Sequence, residues 1–275
     1  DRPRTARRGA QGGIVHAVLD ESVSASLRAL GRAHAASPYL VCLSLLGLLL
    51  HRLDGQDDLC IGVPTTTRDR PELAGVVGHF TNVLVLRLQA DRDWSFARWL
   101  EHVRDRFVEA KAHQEVPLDM LVDALPVPRV PGLHPLFQVK STQQQAAPRG
   151  ARQPAAAAGS IPVDEVHFDL SVDVLDDGDT LSFGIAYAAD LFDRDTILRL
   201  ADGLRLLARQ AAGGGIPAIG QAALPPVPEL RGENTAWPCA TVPDAFAAAA
   251  RRDPTAPAIA AGGRTIAYAE LDRAS

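Results

Sequence analysis

The residues of this chain that could do chemistry fall in three short runs, and none of the runs is a complete catalytic set. The first, Asp57 to Leu88, reads DDLCIGVPTTTRDRPELAGVVGHFTNVLVLRL and carries Arg68, Gly78, Asn82 and Arg87. The second holds His113, Gln114 and Pro117, and the third, Arg129 to Gln138, holds His134 and Pro135. An imidazole titrates near neutrality and suits proton transfer. An amide donates and accepts at once, and a guanidinium offers a planar fork to a carboxylate. Each type also has a plainer use. His113 ends a helix, where an imidazole complements the dipole and caps carbonyls; that structural role is the reading we favour. Asn82 starts a strand, where an amide more often satisfies neighbouring backbone groups than it meets a substrate. His79 and His134 stand beside apolar residues and read as satisfied core or edge histidines.

Composition excludes several classes. The net charge of −5 argues against nucleic acid, which asks for a basic face. The Arg2–Arg8 run is a local exception that reads as a solvated tail. Cys42, Cys60 and Cys239 are odd in number and far apart, with no metal-ligand spacing and no disulfide framework. A reducing, cytoplasmic setting follows. The most apolar run, Leu40–Leu50, is too short to span a bilayer and reads as a buried helix, so no membrane partner is expected. No signal peptide opens the chain, and it begins without Met; a piece of something longer is expected.

The elements that must position these residues follow from period and punctuation. Residues 14–19 read as a strand, and Asp20–Ser22 starts a helix through Leu27 and Leu30. Ser37–Pro38 opens a second helix, apolar nearly all round, to Leu53. Leu59–Val63 and Val83–Leu88 are β-branched runs and read as buried strands. Ser95 caps an amphipathic helix striped by Phe96, Leu100, Val103 and Phe107, which ends near His113. Pro117 opens a shorter helix, Leu118–Leu125, and Leu136–Thr142 is a strand. Residues 146–162 read as a crossing loop. Phe168–Val174 and Leu181–Tyr187 alternate around Asp-Asp-Gly, a hairpin signature. A last helix spans 193–211. Glycines and prolines mark a linker over 213–240. Beyond it come a helix and two short strands, Ala258–Ala261 and Thr265–Tyr268, too little for a stable domain.

Taken together, the runs resemble the condensation domain of nonribosomal peptide synthetases. The first run resembles the segment carrying that family's glycine–phenylalanine–asparagine motif. HQEVPLD at 113–119 resembles its HQ-x-x-PF motif, with Leu118 where Phe is usual. RVPGLHPLFQ at 129–138 resembles RD-x-S-R-x-PLFQ, with Val130, Gly132 and Leu133 at the places of Asp, Ser and the second Arg. Val166–Leu175 and the helix at 193–211 are similar to the domain's closing strands and last helix. The tail resembles the start of an adenylation domain: Thr265, Tyr268, Glu270 and Leu271 lie in the match to LTYxEL.

The resemblance implies an α/β fold, a chloramphenicol acetyltransferase-like αβ sandwich lobe. Residues 1–13 would be a tail or crossover, 14–212 the C-terminal lobe, 213–240 the linker and 241–275 a truncated adenylation start. It implies amide-bond formation between carrier-bound thioesters in a tunnel between two lobes. The family's HHxxxDG motif belongs to the other lobe, and this sequence has no adjacent histidine pair. The expectation is a tunnel wall with no catalytic residue and no metal, inactive alone. No cofactor is expected on the lobe, phosphopantetheine being carried by the carrier domains. Its partners would be the N-terminal lobe, donor and acceptor carrier domains and the adenylation domain. Arg68, Arg87 and Arg129 are candidates for bridging the lobes, with surface pairing as the alternative for the last two. The other reading is a non-catalytic scaffold or recruitment domain.

Overall fold

The computed structural model describes residues 1–5, 9, 11–68, 71–73, 75–145, 168–226, 241–261 and 264–274. They belong to two units, Asp1–Pro226 and Val227–Ser275.

In the first unit the alternating runs become a six-stranded sheet. Its strands are β1 (Gly12–Val18), β2 (Asp58–Thr66), β3 (Thr81–Gln89), β4 (Val139–Gln145), β5 (Leu170–Asp176) and β6 (Leu181–Ala188), in the order β1-β6-β5-β4-β2-β3. β4 runs parallel to both β2 and β5, and the other pairs are antiparallel. The Asp-Gly signal is where the β5–β6 hairpin turns. Gly178 has φ 93°, and Asp177 Oδ1 accepts from the Asp179 and Thr180 amides at 2.9 and 2.6 Å.

Period two decides which face is covered. Leu170, Val172 and Val174 on β5 and Leu181, Phe183 and Ile185 on β6 are buried, while the residues between them are half-buried. The buried set shares one core with α1 (Glu21–Ala33), α2 (Pro38–Asp54), α3 (Phe96–Ala112) and α5 (Arg194–Ala212). The short α4 (Leu118–Ala124) buries none of its residues.

Helix α2 buries every residue from Tyr39 to Leu49 because it lies between α1, α3, α5 and the sheet. Ser37 Oγ caps it by accepting from the Leu40 amide at 3.2 Å, a contact worth about 1 kcal/mol. Trp99 of α3 donates to the Ser44 carbonyl at 2.9 Å. From the other end, the Tyr39 hydroxyl donates to the Ser141 carbonyl of β4 at 3.2 Å, and burial pushes its pKa up to about 12. Burial likewise pushes the Cys42 thiol up to about 12, so it packs as a small hydrophobe.

Several expectations need correction. Residues 1–5 are not a free solvated tail: Arg2 donates to the Ala189 carbonyl and pairs with Asp193, and Arg4 pairs with Asp169. β4 begins at Val139 rather than Leu136, because the Leu136 and Phe137 amides donate to His134 Nδ1, each at 3.3 Å, instead of to a ladder. The linker starts later than 213, since Ile216, Ile219 and Ala222 are buried in the core. His79 is exposed, neither core nor edge-packed. The predicted crossing loop, 146–162, and Val166 lie outside the described residues.

The second unit contains α6 (Val242–Arg252), an antiparallel pair β7 (Pro257–Ala261) and β8 (Arg264–Ala267), and α7 (Tyr268–Ala274). Thr241 Oγ1 caps α6 by accepting from the Asp244 amide at 3.3 Å. Tyr268 starts α7 instead of ending a strand. Its ring packs 5.5 Å from that of Phe246, and its amide turns to the Ala256 carbonyl at 3.0 Å. Thr265 and Glu270 are exposed and Leu271 is half-buried. Among the described residues, no single helix is long and apolar enough to cross a membrane.

Candidate functional site

The first two runs meet at Asn82. It lies at the start of β3, paired across the ladder with Thr65 of β2, and the turn after α3 passes beside it. Asn82 Nδ2 donates to the Gln114 carbonyl at 2.8 Å and to the Val116 carbonyl at 2.7 Å. Its Oδ1 accepts from the Val83 amide at 2.9 Å and from the Leu118 amide at 3.2 Å. Pro117 stands between Val116 and Leu118 with no N–H of its own to satisfy, so the backbone on both sides can turn to one amide. Two donors and two acceptor positions are all an amide has. Asn82 is therefore a filled structural junction, with every donor and acceptor position of its side chain engaged by backbone groups of this chain.

Gln114 extends the junction. It is nearly buried, at 8% exposure, and its Oε1 accepts from Thr65 Oγ1 at 3.1 Å. Lys111 Nζ in turn donates to Thr65 Oγ1 at 2.8 Å. Sequence reasoning missed both Thr65 and Lys111. The pairing of Thr65 opposite Asn82 follows only once the β2–β3 register is known. His113 ends α3 as expected, but its exposed ring caps no carbonyl among the described residues.

The three arginines make local contacts. Arg68 turns inward over its own loop: Nη1 donates to the Leu73 and Val76 carbonyls at 2.5 and 2.6 Å, and Nη2 to the Gly78 carbonyl at 3.4 Å. Its guanidinium carbon lies 4.2 Å from the centre of the Phe80 ring. Arg68 thus shapes the loop from which Val77 projects, 99% exposed. Arg87 grips Asp58 across the β2–β3 ladder, with Nε–Oδ1 at 2.9 Å and Nη2–Oδ2 at 2.6 Å. That bond holds the Asp58 carboxyl below its ordinary range. Arg129 pairs with Asp123 on α4. Both are exposed pairings within this chain, the surface alternative that the sequence also offered for them.

The third run folds beside α4 and leaves a groove of about 510 Å³ lined by Asp119, Val122, Arg129, Val130, His134 and Pro135, among others. Where the resemblance leads one to expect Asp, Ser and Arg, Val130, Gly132 and Leu133 supply no side-chain hydrogen bonds, and other groups hold the segment. His134 Nδ1 takes two backbone amides, which needs an unprotonated nitrogen, and burial pushes the imidazole below its ordinary value. Gln138 Nε2 donates to the His134 carbonyl at 2.9 Å, and Arg4 Nη1 reaches the Gly132 carbonyl at 3.1 Å. Phe137 is fully buried and stacks on Phe168 at 5.2 Å. It lies so close over Gly62 that a Cβ there would meet its ring at 2.2 Å. No His, Cys, Asp or Glu cluster among the described residues could hold a metal. The arrangement offers shaped walls and filled hydrogen bonds. The Asn82 amide and His134 Nδ1 are engaged by backbone groups.

This geometry has known counterparts. Residues 1–226 match the condensation domain family. Phosphinothricin tripeptide synthetase PhsC of Streptomyces viridochromogenes is 33% identical over 290 residues, which take in 100% of this chain and 26% of that protein. Among solved structures, holo-AB3403, a four-domain nonribosomal peptide synthetase bound to AMP and glycine, matches with a TM-score of 0.74 at 20% identity, over 98% of this chain and 22% of that one. The X-domain in complex with OxyB from teicoplanin biosynthesis matches with a TM-score of 0.71 at 25% identity, over 81% of this chain and 50% of that one. The chain thus spans about a quarter of the first two relatives and half of the third. Family match, sequence relatives and fold agree: the chain belongs to the condensation domain family.

Proposed function

We propose that residues 1–226 are the C-terminal lobe of a condensation domain that joins two carrier-bound thioesters through an amide bond. The observation that carries this reading is the Asn82 junction, where two runs similar to the family's motifs are tied by one fully used amide. In the reaction, the acceptor's amine attacks the donor's thioester carbonyl, the C–S bond breaks, and the donor carrier's thiol leaves. Phosphopantetheine arms on the carriers deliver both substrates. Holding two tethered thioesters head to head raises their effective concentration, and rigid walls serve that purpose. The Asn82 junction and the groove beside α4 would be such walls. Taking the amine's proton needs a base within hydrogen-bond reach, and the histidine motif of a separate N-terminal lobe would supply it. Residues 241–274 fit the opening of an adenylation domain that loads the acceptor's carrier.

A second reading has its own observation. The third run lacks three of the family's polar residues, and one structural neighbour is an X-domain solved with OxyB. On that reading the lobe scaffolds an adenylation domain or recruits a tailoring enzyme. Incubating the complete polypeptide with aminoacylated donor and acceptor carrier domains separates the two. Condensation predicts a dipeptide on the acceptor carrier by mass spectrometry. An unchanged acceptor carrier, with the complete polypeptide folded, would move the account to the scaffold.

A further inference from the structure

The third run has lost polar residues of its motif, yet it is held, and part of the hold comes from the far N-terminus. Residues 1–5 cross the ends of β5 and β6 as a strap. The Asp193 amide donates to Asp1 Oδ2 at 2.8 Å, Arg2 pairs with Asp193, and the Arg2 amide donates to the Leu191 carbonyl at 3.2 Å. Beyond Arg4, the Gly9 amide donates to Asp190 Oδ2 at 2.8 Å. At Arg4 the strap reaches inward. Nη1 lies 3.0 Å from Asp169 Oδ1, Nη2 pairs with Oδ2, and Nη1 also meets the Gly132 carbonyl.

Asp169 is a joint in its own right. Its side chain is only 9% exposed. The amides of Asp169 and Leu170 donate to the Gln138 carbonyl at 3.1 and 3.3 Å, and the Ala188 amide donates to the Asp169 carbonyl at 3.1 Å. One carboxylate therefore sits where the third run enters β4, where β5 begins and where β6 ends. A planar guanidinium can serve two carboxylate oxygens and a carbonyl from separate nitrogens in a fixed fork; an ammonium has three donors but all on one nitrogen, without that fork.

We propose that Arg4 is a positioning residue: by clamping Asp169 and the Gly132 carbonyl together it fixes the 129–138 segment, and with it the groove beside α4, to the strap. The geometry is independent of the condensation reading. The catalytic consequence rests on it. The clamp does the holding that Val130, Gly132 and Leu133 cannot, and it makes the groove's shape depend on where the strap is anchored.

Hydrogen exchange on the 275-residue chain tests the clamp. R4Q should speed exchange of amides in 129–138 by about tenfold, a local opening that leaves α2 and α3 protected. R4K should fall between R4Q and wild type. R2Q, on the same strap but away from the loop, should leave 129–138 unchanged. Unchanged exchange in R4Q, or equal loosening in R2Q, would overturn the clamp. In the complete polypeptide R4Q should lower kcat about tenfold with KM unaltered, the signature of a displaced wall. Faster exchange with full kcat would overturn the positioning role. A wild-type polypeptide that forms no amide would remove the condensation reading, and the exchange arm would still decide the clamp.

Discussion

The junction at Asn82 is closed by four hydrogen bonds from one amide, whereas the Arg129–Gln138 loop is held by an imidazole, a phenyl ring and a guanidinium 128 residues from its carbonyl partner. Both border α4, and both coincide with runs that resemble family motifs. The difference lies in where the hold comes from. At Asn82 the motif residues themselves make the contacts, so the identity of one side chain carries the geometry. In the loop three motif residues differ, and the hold comes from the motif's own Phe137 together with His134 and the distant Arg4. A segment can keep its fold while the residues that usually keep it change. What such a segment loses is local self-sufficiency.

This contrast can be broken most severely at Phe137. Its ring is fully buried over Gly62, so Phe137→Ala should cost about 3–5 kcal/mol in urea unfolding. Gly62→Ala attacks the same contact from the strand side and should cost about 1–3 kcal/mol by overpacking. A near-neutral Gly62→Ala would mean that the ring can move, and the loop would then be looser than described.

At the other pole, Asn82→Ala strands two carbonyls and two amides at a part-buried position and should cost about 2 kcal/mol. Asn82→Asp should not rescue it, because a carboxylate cannot donate to the Gln114 and Val116 carbonyls. Equal stability of the Asp variant would refute the filled-amide description.

Acid should separate the two regions next. Burial pushes the His134 imidazole below its ordinary value, and it does the same to His102, which packs 5.2 Å from Trp94 and 5.8 Å from Trp99. Below the unfolded value of about 6.5 the unfolded chain binds more protons than the fold. Stability is therefore complete above that pH and is lost as pH falls through the window toward the folded values. His134→Asn keeps an acceptor for the Leu136 and Phe137 amides but cannot titrate. The variant should lose less stability than wild type on acidification, with His102 accounting for a remaining loss. An unaltered pH slope would show that His134 does not titrate with folding.

The smallest effect should come from Arg129→Ala. Its pair with Asp123 is exposed on both sides, and chemical denaturation should shift by no more than about 0.5 kcal/mol. A larger loss would show that Arg129 contributes more to this fold than an exposed pair.

Much of this architecture was legible in the chain. Alternation placed β5 and β6, the Asp-Gly pair placed their turn, and the serine caps placed α2 and α3, because these signals act over a few residues. The motif runs were legible as well, as text. Their contacts were not. Asn82 reads as a polar residue at a strand start, but three of its four partners lie 32 to 36 residues on, and all four are backbone groups. Arg4 and Asp169 are 165 residues apart, and nothing local marks either for the other. The late start of β4 was hidden for a related reason: an imidazole took the amides that a strand would have used.

The central claim, that this unit supplies walls and another lobe supplies the base, is tested most directly by intact-mass spectrometry of an acceptor carrier domain. The carrier would be incubated with a loaded donor and either the 275-residue chain or the complete polypeptide. The account predicts a dipeptide adduct with the complete polypeptide and none with the 275-residue chain alone. A dipeptide formed by the 275-residue chain alone would contradict it, because the base would then have to lie within these residues.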